Sequence, residues 1–126
     1  MIEAHELNKL AKEIHEDNKS RGFWDEDVVN IHKYLLLIVS EVAEAQDADR
    51  KSRYANIEAF RDSTIKGDGF EKAFELYIKD SFEDEMADIF IRTMDFVAAM
   101  GINIGKHVEF KLRYNASRPS KHGKNY

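Results

Sequence analysis

The sequence contains no cysteine and a single proline. The absence of cysteine excludes disulfide bonds, thiolate zinc sites and cysteine nucleophiles, and it suits the reducing environment of the cytoplasm. No apolar run reaches the length of a membrane-spanning helix, since the longest useful one, Tyr34 to Val39, ends at Ser40. The first residues carry acids where a secretory signal needs bases. We therefore expect a cytoplasmic protein with no membrane partner.

An excess of positive charge is also missing, because 24 acidic residues outnumber 19 basic ones and the net charge is −5. This balance disfavours a nucleic acid partner. The C-terminal part differs, with a locally basic segment formed by Lys106, Lys111, Arg113, Arg118, Lys121 and Lys124. An anionic ligand bridged by a metal ion would reconcile this segment with an acidic protein. The length of 126 residues predicts a single domain over 1–126, with a basic tail at about 118–126.

Apolar residues recur with the period of an α-helix, and no stretch alternates at the period of a strand. Glycines, the pair Arg118-Pro119 and candidate caps at Asp25 or Asp27 and at Ser81 divide the chain. The first expected helix covers about 2–19, and the second runs from after Asp25 or Asp27 to about 49. Three more helices are expected over about 71–79, 82–100 and 103–117. Residues 50–69 fit either a short helix or a mobile loop. The prediction is an all-α helical bundle of four to five main helices, completed by oligomerisation.

Carboxylates three residues apart share one face of a helix, but this spacing alone is weak evidence for a site. Two such pairs lie on the polar side of the first helix, Glu3/Glu6 and Glu13/Glu16. Contact with water explains both. Glu41 and Glu44 differ, because from Tyr34 to Ala45 they and Ser40 are the only polar side chains apart from the tyrosine hydroxyl. An acidic stripe with apolar borders is therefore predicted on the second helix.

The helix predicted over 82–100 repeats this pattern, with Glu85 and Asp88 beside a broad apolar face. Packing two such stripes together without a cation is costly, since partly buried like charges repel and lose hydration. Carboxylate oxygens bind Mg²⁺ and Mn²⁺, so one divalent-metal site is a natural solution. The pattern alone equally allows two stripes that face water. A ferritin-like di-iron site fits the sequence poorly, because it needs Glu-x-x-His and no histidine here has Glu three residues before it.

The two acidic segments read Ser40-Glu41-Val42-Ala43-Glu44 and Glu85-Met86-Ala87-Asp88. Phe23-Trp24-Asp25 precedes them, and Lys111-x-x-x-Asn115-x-x-Arg118-Pro119 follows them. In order and spacing these segments resemble the MazG-like superfamily of all-α nucleoside triphosphate pyrophosphohydrolases, which includes dCTP pyrophosphatases and dimeric dUTPases. The family pattern has EExxE on the first helix, and Ser40 stands at its first glutamate. The resemblance therefore implies four carboxylate ligands rather than five.

The resemblance implies hydrolysis of an NTP or dNTP between the α and β phosphates, which gives a nucleoside monophosphate and pyrophosphate. The implied purpose is the removal of noncanonical or surplus nucleotides from the pool. The implied ligands of Mg²⁺, for which Mn²⁺ can substitute, are Glu41, Glu44, Glu85 and Asp88. Glu41 or Glu44 would accept a proton from the attacking water. The implied substrate contacts are Phe23, Trp24, Lys111, Tyr114, Asn115 and Arg118. A homodimer or homotetramer is also implied.

Structural interpretations of the same residues stay open. The basic residues of the last helix also fit a solvated helix end, where the macrodipole favours positive charge. Tyr114 fits simple packing, and Phe23 with Trp24 fits an aromatic plug. A function from another class also fits the sequence, namely a non-enzymatic helical oligomer whose acidic stripes bind a structural cation or a basic partner.

Overall fold

The computed structural model describes residues 3–25 and 27–119, and the regular elements within them are all α-helices. They are α1 (Ala4–Ser20), α2 (Ile31–Arg50), α3 (Ile57–Ile65), α4 (Phe70–Tyr77), α5 (Phe82–Ala99) and α6 (Ile104–Ala116). The all-α prediction is confirmed. The predicted number of four to five helices is too low, because the uncertain segment 50–69 contains α3. No helix of the described residues is long and apolar enough to cross a membrane.

Two predicted features fall partly beyond the described residues. The basic tail was predicted at about 118–126, and residues 120–126 of it lie outside them. The predicted helix start at Ile2 also lies outside, and α1 is described from Ala4 onward.

The start of α2 differs from the prediction because an asparagine caps it. The Asn30 side chain accepts a hydrogen bond from the backbone N–H of Lys33 at 3.2 Å, and α2 begins directly after Asn30. Such a cap satisfies one of the backbone donors that a helix start leaves unpaired. The predicted caps at Asp25 and Asp27 are therefore wrong, although both are suitable residue types.

Capping residues also define the later helices. Asn56 accepts a hydrogen bond from Ala59 N at 3.0 Å and so begins α3. Ser81 Oγ accepts one from Asp84 N at 3.1 Å, which confirms the predicted cap of α5. Gly101 follows α5 with a φ of +68°, a conformation that glycine adopts without strain.

The chain divides into two compact units. The first comprises residues 1–29 and 94–126, with α1, α6 and the end of α5. Within it α1 packs against α6, and the Asn8 side chain accepts a hydrogen bond from Gly105 N at 2.9 Å. Gly105 is required there, because a Cβ at this position would lie 2.0 Å from the carbonyl oxygen of Ala4. The absence of a side chain thus allows the two helices to approach closely.

Asp95, near the end of α5, joins three other side chains of the first unit. Its carboxylate accepts hydrogen bonds from Asn18 Nδ2 at 2.9 Å and from the Trp24 indole N–H at 3.0 and 3.1 Å. It also contacts His15 Nδ1 at 2.8 Å. The rings of His15 and Trp24 meet edge to face, with centroids 5.0 Å apart. These hydrogen bonds connect α1 and the segment after it to the end of α5.

The second unit comprises residues 30–93, with α2, α3, α4 and most of α5. Within it α3 packs against α4 through aromatic rings, with the Phe60 and Phe70 centroids 5.7 Å apart. The segment between α2 and α3 runs past the start of α5, where Ala55 N donates to Glu83 Oε1 at 3.1 Å. These contacts hold the carboxyl end of α2 near the amino end of α5, the two helices that carry the acidic stripes.

Candidate metal centre

Three of the four predicted carboxylate ligands come together in the second unit. Glu41 and Glu44 lie one turn apart on α2, and Glu85 lies on α5. One carboxylate oxygen from each residue lies within 4.8 Å of the others. Asp88, one turn further along α5, is half-buried and is not part of this group. We refer to Glu41, Glu44 and Glu85 as the carboxylate cluster.

Two members of the cluster are buried with unsatisfied oxygen atoms. Glu41 is 6% exposed and Glu85 is 7% exposed. The Oε2 atom of each is buried and has no hydrogen-bond partner. Buried carboxylate oxygens are normally paired, because loss of hydration is costly for a charged group. A cation within reach of both oxygens would remove this cost.

Arg92 provides part of the compensating charge. Its Nε donates a hydrogen bond to Glu41 Oε1 at 2.6 Å, which links α5 to α2. The spacing of four residues also suits a pair with Asp88 on the same helix, but the ion pair that forms joins Arg92 to Glu41. The guanidinium satisfies Oε1 of Glu41, whereas Oε2 of the same carboxylate has no hydrogen-bond partner.

The ionisation of the cluster reflects its crowding. Burial, followed by the hydrogen bond and the negative charge of Glu44, raises the pKa of Glu85 to about 7. Burial and then the charge of Glu41 raise the pKa of Asp88. A hydrogen bond with Glu41 raises the pKa of Glu44. Burial acts upward on Glu41 as well, but hydrogen bonds, chiefly with Arg92, and the Arg92 charge outweigh it and lower its pKa.

The residue at the first position of the family's EExxE pattern takes no part in the cluster. Ser40 is exposed, and its hydroxyl donates a hydrogen bond to the carbonyl oxygen of Leu37 in its own helix at 2.7 Å.

A second group of carboxylates adjoins the first and was not predicted. Oxygens of Asp80, Asp84 and Glu85 also lie within 4.8 Å of one another. Asp84 lies in the first turn of α5, and its carboxylate accepts a hydrogen bond from Asp80 N at 2.9 Å. One signal for this group is visible in the sequence, namely the acidic run that opens α5. Such a run is also the usual composition of a helix start, so it does not distinguish the two roles.

The predicted aromatic contacts lie in the first unit. Phe23 is 64% exposed, whereas Trp24 is half-buried and donates its indole N–H to Asp95. The indole N–H is therefore held by another residue of the same unit. This contact agrees with the interpretation of Trp24 as an aromatic plug.

The predicted contacts of the last helix also lie in the first unit and gather around one ring. Lys111 Nζ lies 5.5 Å from the Tyr114 ring centroid, and the Arg118 guanidinium lies 5.3 Å from it. Both distances are typical of cation–π contacts. Asn115 follows Tyr114 directly on α6 and is half-buried. The predicted group thus forms a basic and aromatic surface at the carboxyl end of α6.

No protein-family model, no curated protein and no solved structure matches this chain. The assignment of a function therefore has to come from the residues of the chain and their chemistry.

Proposed function

We propose that this chain is a Mg²⁺-dependent nucleotide pyrophosphohydrolase that cleaves an NTP or dNTP between the α and β phosphates. The observation that carries the proposal is the pair of buried, unpartnered oxygens on Glu41 and Glu85, beside the carboxylate of Glu44. The order of the sequence motifs supports the same assignment. The proposed role of this enzyme is to remove surplus or modified nucleotides from the cellular pool.

The donor atoms favour a hard divalent cation. Carboxylate oxygens bind Mg²⁺ and Mn²⁺ well, whereas zinc sites usually contain cysteine or histidine, and the cluster contains neither. Asp88 lies one turn from Glu85 and is available as the fourth ligand. When bound, Mg²⁺ neutralises phosphate charge and makes a water molecule a better nucleophile.

The cluster residues would divide the remaining tasks. Glu41 is kept ionised by Arg92, which suits it to hold a cation. Glu44 is exposed, and its raised pKa brings it closer to neutrality, where a general base is most effective. We therefore assign proton abstraction from water to Glu44. The basic and aromatic residues of α6, with Phe23 and Trp24, are assigned to the substrate.

The experiment is a hydrolysis assay on a panel of NTPs and dNTPs with Mg²⁺, scored for nucleoside monophosphate and pyrophosphate. Glu44→Ala and Asp88→Ala should abolish turnover while the helical circular dichroism signal persists. Glu13→Ala, on the exposed face of α1, is the control and should retain activity. The proposal is wrong if the wild-type chain releases no monophosphate from any nucleotide, or if Glu44→Ala stays active.

The same assay addresses the non-enzymatic alternative. A chain that binds Mn²⁺ and self-associates but hydrolyses no nucleotide is a helical oligomer with a structural cation. Self-association itself is part of both proposals, since α2 exposes apolar side chains along its length. We propose a homodimer or homotetramer that works in the cytoplasm.

A further inference from the structure

One arginine outside the sequence motifs is fixed beside the carboxylate cluster. The backbone N–H of Arg53 donates to Ala48 O at 2.9 Å, near the end of α2. Its carbonyl oxygen accepts a hydrogen bond from Phe82 N at 2.8 Å, at the start of α5. Both helices that carry the cluster thus hold the backbone of Arg53. These bonds fix the backbone of Arg53, and its side chain is exposed.

Arg53 lines a pocket at the edge of the cluster. Glu44, Asp47, Asp80 and Glu85 line the same pocket, with two small alanine side chains of α2. Its volume of about 290 Å³ lies at the lower end of the ~300–1,000 Å³ that is usual for ligand sites. That volume suits phosphate groups better than a whole nucleotide. Among the described residues that line the pocket, Arg53 is the one cation.

Two neighbouring cations, Lys51 and Arg92, have carboxylate partners. Lys51 Nζ lies 2.9 Å from Asp47, and Arg92 Nε lies 2.6 Å from Glu41. Within residues 3–25 and 27–119, no carboxylate lies at ion-pair distance from the Arg53 guanidinium. Its charge still acts on Asp47, whose pKa is lowered chiefly by the hydrogen bond from Lys51 and also by Arg53. A guanidinium offers several N–H donors in one plane, a geometry that matches the oxygens of a phosphate group.

We propose that Arg53 binds a phosphate group of the ligand held by the cation of the carboxylate cluster, an inference that rests on the proposed function. A phosphate placed there lies between two positive groups, the cation and the guanidinium. The ligand class is a compound with a pyrophosphate or triphosphate group. Arg53 thereby acts as a substrate-binding residue, in addition to those of α6.

The test measures the binding of inorganic pyrophosphate by calorimetry in the presence of Mn²⁺, and the binding of Mn²⁺ itself by electron paramagnetic resonance. Arg53→Gln should weaken pyrophosphate binding about 10- to 100-fold, the range for loss of a hydrogen bond to a charged group. Mn²⁺ binding should stay equal or become tighter, because a cation beside the cluster is removed. Arg53→Lys keeps the charge and should recover part of the pyrophosphate affinity.

Arg50→Gln is the matched control, because Arg50 is an exposed residue at the end of α2 outside the pocket lining. It should bind both probes as the wild type does. Unchanged pyrophosphate affinity in Arg53→Gln overturns the inference and leaves the proposed function intact. Joint loss of Mn²⁺ binding and of the helical signal in this variant also overturns it, since the role of Arg53 is then structural.

If the proposed hydrolase function is wrong, the binding and hydrolysis measurements give a different combination of results. If the wild type binds Mn²⁺ and pyrophosphate through Arg53 but hydrolyses no nucleotide, the phosphate site stands and the assigned reaction is wrong. If the wild type binds no Mn²⁺, both the metal centre and the phosphate site are wrong.

Discussion

Among the described residues, Glu85 has the pKa that its surroundings raise to about 7. Its pKa of about 7 in the folded protein exceeds the ordinary value of 4.5, so the folded chain without metal keeps a proton that the unfolded chain releases. The stability that this proton contributes is complete below pH 4.5 and is lost as the pH rises through 7. The carboxylate must also lose this proton to bind a cation.

We therefore expect the free energy of unfolding of the metal-free protein to fall as the pH rises from about 5 to 7.5, by on the order of 3 kcal/mol. Urea unfolding at several pH values in the presence of a chelator measures this. Saturating Mg²⁺ should reduce the fall, because the cation replaces the proton. In the metal-free Glu85→Gln variant, the free energy of unfolding should fall less over the same pH range. Equal pH slopes in both proteins would show that Glu85 does not carry the effect.

Asp95 is a second residue on which several others depend. Asp95→Ala leaves the Asn18 amide and the Trp24 indole without their acceptor and removes the partner of His15. We expect a loss of about 2–4 kcal/mol in the free energy of unfolding, since each half-buried group without a partner costs ~1–3 kcal/mol. Urea unfolding provides the measurement, with Glu13→Ala as an exposed control on α1. A loss no larger than that of the control would contradict a structural role.

At the scale of helices, the contact between α1 and α6 depends on Gly105. In Gly105→Ala the new methyl group would meet the backbone of Ala4, which cannot turn aside as a flexible side chain does. We expect a destabilisation of about 3 kcal/mol, at the upper end for an overpacked position. Gly69→Ala is the control, because nothing lies within 4 Å of a Cβ there, and it should cost less than about 1 kcal/mol. Similar thermal unfolding of both variants would be evidence against a tight contact.

The helices differ in how far the sequence predicts them. The start of α5 was predictable, because Ser81 and Asp84 have the spacing of a capping pair. The start of α2 was not, since Asp25, Asp27 and Asn30 are all suitable caps and only tertiary structure chooses among them. The helix α3 is short and interrupted by polar residues, so its periodicity is weak.

The candidate site shows the same division. The cluster residues Glu41, Glu44 and Glu85 were predictable, because acids with apolar neighbours on two helices indicate a shared buried surface. Arg53 was not, because its role depends on backbone hydrogen bonds to residues before and long after it in the chain. The contact of Trp24 with Asp95 spans 71 residues and likewise leaves no local pattern.

For the molecule as a whole, the distribution of apolar side chains favours self-association. Among the described residues, the buried hydrophobic ones are Ala11, Ala45, Ala48, Ala73, Phe96 and Val97. One face of α2 meanwhile exposes larger side chains at helical spacing, with Leu35 at 45%, Val39 at 59% and Val42 at 49%. An apolar stripe of this kind usually marks an interface. A second copy of the chain is the occupant we propose.

The double substitution Leu35→Lys and Val39→Lys should convert the wild-type oligomer to a monomer, because charges cannot be buried in an apolar interface without a partner. Light scattering coupled to size-exclusion chromatography reports the mass. Ile65→Lys is the control, since Ile65 lies on α3 and is 81% exposed. A wild-type chain that runs as a monomer at micromolar concentration would refute the prediction, as would an unchanged mass of the double variant.

The unpartnered oxygens of Glu41 and Glu85 also bear on how long the protein survives in a cell or a test tube. A cation that binds only the folded chain reduces the fraction of molecules that open, by an amount set by its free concentration. Proteases cleave the open form. If the proposed site binds Mg²⁺, preparation with a chelator should therefore shorten the lifetime of this protein, and its rate of degradation should depend on the concentration of free Mg²⁺.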